Sequence, residues 1–384
     1  MRFEYATASR IIFGAGAVKE LAPAASSLGK QALFVVGRSV ERAAAAIRTL
    51  HDAGIQTEQF HVPGEPTIEL VLEGVGTARS RQCDMVIALG GGSVLDAGKA
   101  IAALLANPGE IQDYLEVVGK GRTLPGPSLP FVAIPTTAGT GSEATRNAVI
   151  SVTEKRVKVS LRGPSLLPRL AIVDPAMTYD LPSDVTAASG LDALVQLIEP
   201  FVSNAANPMT DALCRDGIRR IARSIRRVYQ DGHDVEARAD MALAALFSGM
   251  ALANAKLGAV HGFAGPIGGL FQAPHGAICA RLLPPVVRAN LAALRQREPQ
   301  STTLARFDEL GRLLTDSENA NGEDEVAWLQ DLCADLKIEP LRMYGMTEAD
   351  FPELIAQARR SSSMKGNPLV LTEDELTGIL EEAL

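Results

Sequence analysis

His261 and His275 bracket the run "HGFAGPIGGLFQAPHG", glycine-rich and apolar between them, in a chain with only five histidines. Imidazole is a common ligand for divalent first-row metals and a proton carrier near neutral pH. A further pair lies upstream in "SGLDALVQLIEPFVS", where Asp192 and Gln196 are four residues apart and share one face of a helix. Leu191, Leu194, Val195, Leu197 and Ile198 make that neighbourhood apolar, so a carboxylate there needs a partner. An arginine, a helix N-terminus or a cation would each serve. Together Asp192, His261, His275 and the Gln196 amide oxygen could form a four-donor set for a divalent ion. The competing reading is four hydrogen-bonded core residues.

Two loops suggest a second chemistry. "ALGGGSVLD" places Gly90, Gly91, Gly92, Ser93 and Asp96 between a strand and a helix. A backbone without side chains can approach a pyrophosphate, and amides at the helix N-terminus can donate to its oxygens. The spacing is not that of the standard dinucleotide fingerprint, and glycine also serves tight turns. "PTTAGTGSEAT" repeats the strand-then-turn pattern and concentrates Thr136, Thr137, Thr140, Ser142 and Thr145, hydroxyls suited to ribose and phosphate. After the strand "ALFVVG", where an acidic residue would bind a ribose 2′-hydroxyl, the chain has Gly37 and Arg38. A missing carboxylate and a nearby arginine predict that NADP(H) is accepted. A solvated Arg38 is the plainer alternative.

These loops need a doubly wound frame, and the first half supplies one. Strand-like runs "ALFVVG", "IQTEQFHV", "DMVIALGGGS" and "FVAIPTTAGTGS" alternate with helical segments, which predicts a mainly parallel sheet. Ser39 is the expected cap of the helix "SVERAAAAIRTLHDAG", and Pro66 and Thr67 open the next. "NAVISV" and "RVKVSLR" read as a hairpin, and "LAIVDP" as the last strand. From Ser183 onward the periodicity is helical. The predicted division is an α/β dinucleotide-binding domain over 1–182 and an all-helical domain over 183–384, with a cleft between them as the expected ligand site.

Composition narrows the partners. The chain has 384 residues, 47% hydrophobic and 21% charged, and 37 basic against 45 acidic residues give a net charge of −8. That balance argues against nucleic acid or an anionic membrane. The start has no signal-peptide core, and apolar segments such as "KAIAALLANPG" look too short to span a bilayer. Cys83, Cys214, Cys279 and Cys333 are scattered, so buried reduced thiols and a cytoplasmic location are expected.

Read in order, "IIFGAGAVKEL", "PTIELVLEGV", "GGGSVLDAGKA", "PTTAGTGSEAT", "LAIVDPAMT", "SGLDALVQLIEPFVS", "LGAVHGFAGPIGGLFQAPHG" and "NPLVLTEDEL" resemble the iron-containing (group III) alcohol dehydrogenase family over essentially the whole chain. The resemblance implies a dehydroquinate synthase-like architecture, with an N-terminal α/β dinucleotide domain, a helical C-terminal domain and a divalent metal, Fe²⁺ or Zn²⁺. It also implies NAD(P)-linked interconversion of a small alcohol with an aldehyde or ketone, in a homodimer or larger homo-oligomer. Family ligands fall on Asp192, His261 and His275, the residues expected to be catalytic. A fourth, usually histidine, is here Gln196, a weaker donor. Many relatives have another histidine near the nicotinamide where this chain has Gly265. Gly91, Gly92, Ser93, Asp96, Thr136, Thr137, Thr140 and Ser142 resemble the family's nucleotide contacts. Lys158 matches a lysine near the cofactor, or is a solvated lysine on a strand edge, and Asn147 is expected to edge the nicotinamide.

The runner-up is a metal-free carbonyl reductase like the maleylacetate reductases, which the Gln196 position favours. A dehydroquinate synthase-like lyase would need a basic site, whereas these segments are apolar. A nucleotide-binding sensor without turnover is the non-enzymatic alternative.

Overall fold

The computed structural model describes residues 2–37 and 40–384; Arg38 and the expected Ser39 cap lie outside them. The chain forms two compact units. One is Ala6–Tyr179; the other joins the chain up to Tyr5 with Asp180–Leu384. The first few residues thus cluster with the helical unit rather than with the α/β unit that follows them in sequence.

The α/β unit is built in the order β1 (Ile11–Phe13), α1 (Leu21–Ala25), β2 (Gln31–Val36), α2 (Val40–Asp52), β3 (Gln56–His61), α3 (Ile68–Ser80), β4 (Met85–Gly90), α4 (Gly92–Ala106), α5 (Ile111–Tyr114), β5 (Phe131–Pro135), β6 (Asn147–Val152), β7 (Val157–Arg162) and β8 (Leu170–Val173). Six strands pair in parallel in the order β1-β8-β5-β4-β2-β3. The residues of β2, β4, β5 and β8 are almost all buried, as expected of strands covered on both faces. From β2 the chain moves outward to β3, then returns past β2 to β4. The reversal puts a switch point between β2 and β4, where α/β sheets bind ligands at the carboxyl ends of their strands.

Three expectations from the sequence hold in detail. β6 and β7 pair antiparallel as the hairpin. Thr67 caps α3, its hydroxyl accepting from the Leu70 amide at 3.2 Å. α4 starts directly on the glycine loop, with Gly91 as its N-cap.

The helical unit consists of α6 (Ser183–Val202), α7 (Pro208–Gln230), α8 (Val235–Asn254), α9 (Ala259–Leu270), α10 (His275–Arg297), α11 (Thr302–Thr315), α12 (Gly322–Asp335), α13 (Phe351–Arg360) and α14 (Glu373–Ala383). α6 is buried almost all round over its second half. Among the described residues two single helices, α6 and α10, reach membrane-span length and apolarity, contrary to the expectation that the most apolar segments are too short. Their apolar windows are 83% and 78% buried inside the protein, so that apolarity serves packing.

One contact fixes the frame for the site. A Cβ at Gly276 would lie 2.1 Å from the backbone oxygen of Ala188. The first turn of α10 therefore rests directly on the main chain of α6, one helical turn before Asp192.

Candidate metal centre and nucleotide loops

Within the helical unit, Asp192 sits mid-α6, His261 in the first turn of α9, and His275 is the first residue of α10. Asp192 is 2% exposed among Leu191, Leu194, Val195, Leu197 and Ile198, all of them buried. Its Oδ1 lies 3.5 Å from Nε2 of His261 and 3.8 Å from Nε2 of His275. That oxygen is buried and has no hydrogen-bond partner among the described residues. The other, Oδ2, accepts from Nε2 of Gln196 at 2.9 Å. The structure thus brings together all four residues expected from the sequence, with the Gln196 amide nitrogen turned to the aspartate.

Three further residues complete the arrangement. Cys279 follows His275 by one turn of α10, and its Sγ lies 3.6 Å from Nε2 of His275 and 3.9 Å from Nε2 of His261. One donor atom each from Asp192, His261, His275 and Cys279 lies within 4.8 Å of the others. Glu199 Oε2 accepts from Nδ1 of His261 at 2.7 Å, which leaves Nε2 as the ring atom turned toward Asp192. Glu199 Oε1 accepts from the Val260 amide at 2.7 Å, and the Asn367 side-chain oxygen from the Ala259 amide at 3.2 Å. α9 has no cap from its own N-cap residue, Gly258, so Glu199 and Asn367 satisfy its first amides from other elements. A Cβ at Gly258 would meet Glu199 Oε1 at 2.9 Å, so a side chain there would displace the carboxylate that caps α9.

The sequence carried a signal for two of these residues. Asp192, Gln196 and Glu199 follow the i, i+4, i+7 spacing of one helix face, and His275 and Cys279 the i, i+4 spacing. Cys279 was expected to be an inert buried thiol; it is buried and free, but it faces both imidazoles. Asn367, distant in sequence, left no such signal.

Charge follows the geometry. Burial works against an ionised Asp192, yet His261, His275 and the Gln196 amide outweigh it and hold its pKa low. Burial likewise opposes a charged His261, but Cys279, Glu199 and Asp192 raise its pKa well above the ordinary value. The site concentrates negative charge and, without a metal, draws protons onto its imidazoles. A metal competes for those same nitrogens. A buried unpartnered carboxylate oxygen between two imidazole nitrogens fits a divalent cation.

In the α/β unit, Gly37, Gly91, Gly92, Ser93, Thr136, Thr137 and Thr140 gather at the carboxyl ends of the neighbouring strands β2, β4 and β5. The two loops touch: a Cβ on Gly92 would meet Thr140 Cγ2 at 2.7 Å, and one on Gly91 would meet Thr137 Cγ2 at 3.4 Å. Gly37 lies close to Val94, where an added Cβ would meet its side chain at 3.1 Å. These residues form one bare-backbone surface beside the N-terminus of α4, suited to phosphate.

Asp96 and Ser142 are placed differently from loop hydroxyls and amides open to a ligand. Asp96 accepts from the Ser142 hydroxyl at 2.6 Å and from the Val149 amide at 3.0 Å, tying α4 to the second loop and the hairpin. Beside them, the fully buried Lys99 ammonium donates to the Thr145 hydroxyl at 2.7 Å and to the Asn147 carbonyl at 2.9 Å. Burial lowers the Lys99 pKa to about 8. Asn147 keeps a buried side-chain oxygen without a hydrogen-bond partner. Lys158, on β7, lies 3.2 Å from Glu65.

Residues 8–175 match the model of the iron-containing alcohol dehydrogenases, and residues 186–384 match the C-terminal model of the Fe-containing alcohol dehydrogenase family. The chain is 36% identical to a 1,3-propanediol dehydrogenase of Klebsiella pneumoniae, over 99% of this chain and 98% of that protein. It is 34% identical to a 4-hydroxybutyrate dehydrogenase of Cupriavidus necator, over 96% of each. The solved structure of a 1,3-propanediol oxidoreductase superposes with a TM-score of 0.92 at 34% identity, covering all of both chains. Matched in both halves and along its whole length, the chain belongs to the iron-containing alcohol dehydrogenase family, oxidoreductases acting on CH–OH groups.

Proposed function

We propose that this chain is a divalent-metal-dependent, NAD(P)-linked dehydrogenase that interconverts a short alcohol with its aldehyde or ketone. The observation that carries the reading is the buried, unpartnered Oδ1 of Asp192 beside the Nε2 atoms of His261 and His275. These three residues would hold Fe²⁺ or Zn²⁺, and the bound ion would supply Lewis-acid polarisation of the substrate oxygen. The nicotinamide supplies the hydride donor or acceptor.

The chain's own residues do the rest. Glu199 fixes the orientation of the His261 ring through its Nδ1 proton. Gly265 contributes no side chain to carry a proton, so this position would leave proton transfer to solvent. The amides of Gly92 and Ser93 and the hydroxyls of Thr136, Thr137 and Thr140 face the dinucleotide phosphates and ribose in this reading. Asp96 and Ser142 hold the two loops together. The unpartnered Asn147 oxygen supports a role for that residue toward the nicotinamide, and Lys158 acts near the cofactor. Gly37, with no carboxylate, admits the 2′-phosphate of NADP as well as NAD.

The two named relatives act on terminal alcohols of short chains with a second polar end. The proposed substrates share that character, and the enzyme is proposed to work as a cytoplasmic homo-oligomer. The test is turnover of 1,3-propanediol and 4-hydroxybutyrate with NAD⁺ and NADP⁺, before and after chelation, and after return of Fe²⁺ or Zn²⁺. Loss on chelation and recovery on re-addition support the reading. Full activity in rigorously metal-free protein would transfer it to the metal-free reductase class.

A further inference from the structure

We propose that Cys279 is the fourth protein donor of the metal centre, and that Gln196 acts on Asp192 rather than on the ion. The inference rests on the metal-dependent reading above. It gives a donor set of one carboxylate, two imidazoles and one thiolate.

The donor spacing is the first argument. In a tetrahedral zinc site, bond lengths of about 2.0–2.1 Å to nitrogen and oxygen and about 2.3 Å to sulfur put N···O edges near about 3.4 Å and N···S edges near about 3.6 Å. The observed N···O edges are 3.5 and 3.8 Å, and the N···S edges 3.6 and 3.9 Å. An octahedral site would draw neighbouring oxygen and nitrogen donors to about 3.0 Å. Direct N–H···O bonds would also close to about 2.7–3.2 Å. These four edges suit a small tetrahedral ion, and the remaining two stay within 4.8 Å.

Gln196 is the second argument. Its amide nitrogen, which has no lone pair for a metal, donates to Asp192 Oδ2. Its oxygen is buried with no hydrogen-bond partner among the described residues, so the Gln196→Ala variant decides whether that oxygen reaches the ion. Turning the amide over would set two acceptor oxygens against each other. The glutamine thereby holds one carboxylate oxygen and leaves Oδ1 facing the imidazoles.

Charge is the third. Asp192 and a Cys279 thiolate together balance a divalent ion, with the thiol proton released to solvent on binding. A thiolate with two imidazoles suits Zn²⁺, which also lies above Fe²⁺ in the general order of affinities. The site is therefore a zinc site by donor chemistry, within a family named for iron.

The test uses the full-length protein stripped of metal and reloaded with Co²⁺, a spectroscopic stand-in for Zn²⁺. A thiolate-to-cobalt charge-transfer band in the near ultraviolet is expected, retained in Gln196→Ala and lost in Cys279→Ser. X-ray absorption of the zinc-loaded wild type should show one sulfur at about 2.3 Å, a readout that does not depend on any variant folding. Zinc affinity should fall at least tenfold in Cys279→Ser. Stoichiometric cobalt without the band, and no zinc–sulfur scattering, would overturn the assignment of Cys279 while leaving the metal reading intact. Protein that retains neither metal would overturn both.

Discussion

The Glu199 carboxylate spans from a helix start to an imidazole: one oxygen accepts from the Val260 amide at 2.7 Å, the other from Nδ1 of His261 at the same distance. A single side chain on α6 thus sets both the backbone entry of α9 and the face that the histidine presents. Glu199→Gln keeps an acceptor for the amide but replaces the carboxylate that orients the ring. Metal affinity should fall by about 10–100-fold, with thermal unfolding shifted far less. Competition titration against a chelator measures it, and unchanged affinity would show that the ring is held by packing alone.

Gly92 is the point at which the nucleotide loops can be tested apart from the metal. Its Cβ would overlap Thr140 Cγ2 at 2.7 Å and Oγ1 at 3.0 Å. Gly92→Ala should weaken NAD(P) binding about tenfold, within the roughly 1–3 kcal/mol typical of overpacking, and leave metal content unchanged. Adding Thr140→Ser removes the offending methyl and should restore much of the loss. Fluorescence titration of the cofactor checks both variants.

Gly265 lies inside α9, where an added Cβ meets nothing within 4 Å. Gly265→Ala should stabilise the protein by about 0.5–1 kcal/mol, because glycine loses more backbone freedom in a helix. Gly265→His, whose Cβ is likewise unobstructed, should add an ionisation in the imidazole range to the pH dependence of kcat. A pH profile identical to that of the parent would mean that this position does not reach the reacting groups.

Glu325 in α12 is fully buried, and neither carboxylate oxygen has a hydrogen-bond partner. Burial, with the nearby Asp308 charge adding to it, raises its pKa well above the ordinary value. A folded pKa above the unfolded value of about 4.3 means that its contribution is most favourable below about pH 4. That contribution is lost as pH rises through the folded pKa. Glu325→Gln should flatten this part of the stability–pH curve, and Glu325→Met should raise stability near neutral pH by about 1–3 kcal/mol. Denaturant unfolding at several pH values reads both.

Lys99 binds α4 to the second loop and the hairpin through Thr145 and Asn147, with Asp96 at 3.8 Å. Lys99→Met removes the charge that faces part-buried Asp96 and buried Glu143. A loss of about 3–5 kcal/mol is expected, as when one partner of a buried pair is removed. Calorimetry would show it; a change below 1 kcal/mol would mean the carboxyls are neutral and need no counter-charge.

The central strands were legible because parallel strands buried on both faces are continuous apolar runs, and the glycine loops because two of them follow successive strands. β1, only three residues long and part-exposed, carries too little pattern to be read as a strand. The histidines drew attention by their rarity and the aspartate by its apolar setting. Gln196 was read as a possible donor to metal because its type allows it; the hydrogen bond from its nitrogen to Asp192 could not be read from sequence, and neither could the burial of its oxygen. Cys279 was hidden by the opposite bias, since an isolated cysteine in an apolar helix is usually packing. Asp96 and Ser142 had the residue types expected of ligand contacts, and only the fold shows them bonded to each other.

The bare contact between Gly276 and the main chain of Ala188 has a bearing on how such a protein can change. Any side chain larger than hydrogen at that position would force two long helices apart, and with them the aspartate and the second histidine. Variation around the centre can therefore reshape its walls and retune what enters, while the scaffold that spaces the donors stays locked. A side chain at position 276 is closed to gradual change, because even one added carbon meets the main chain of α6.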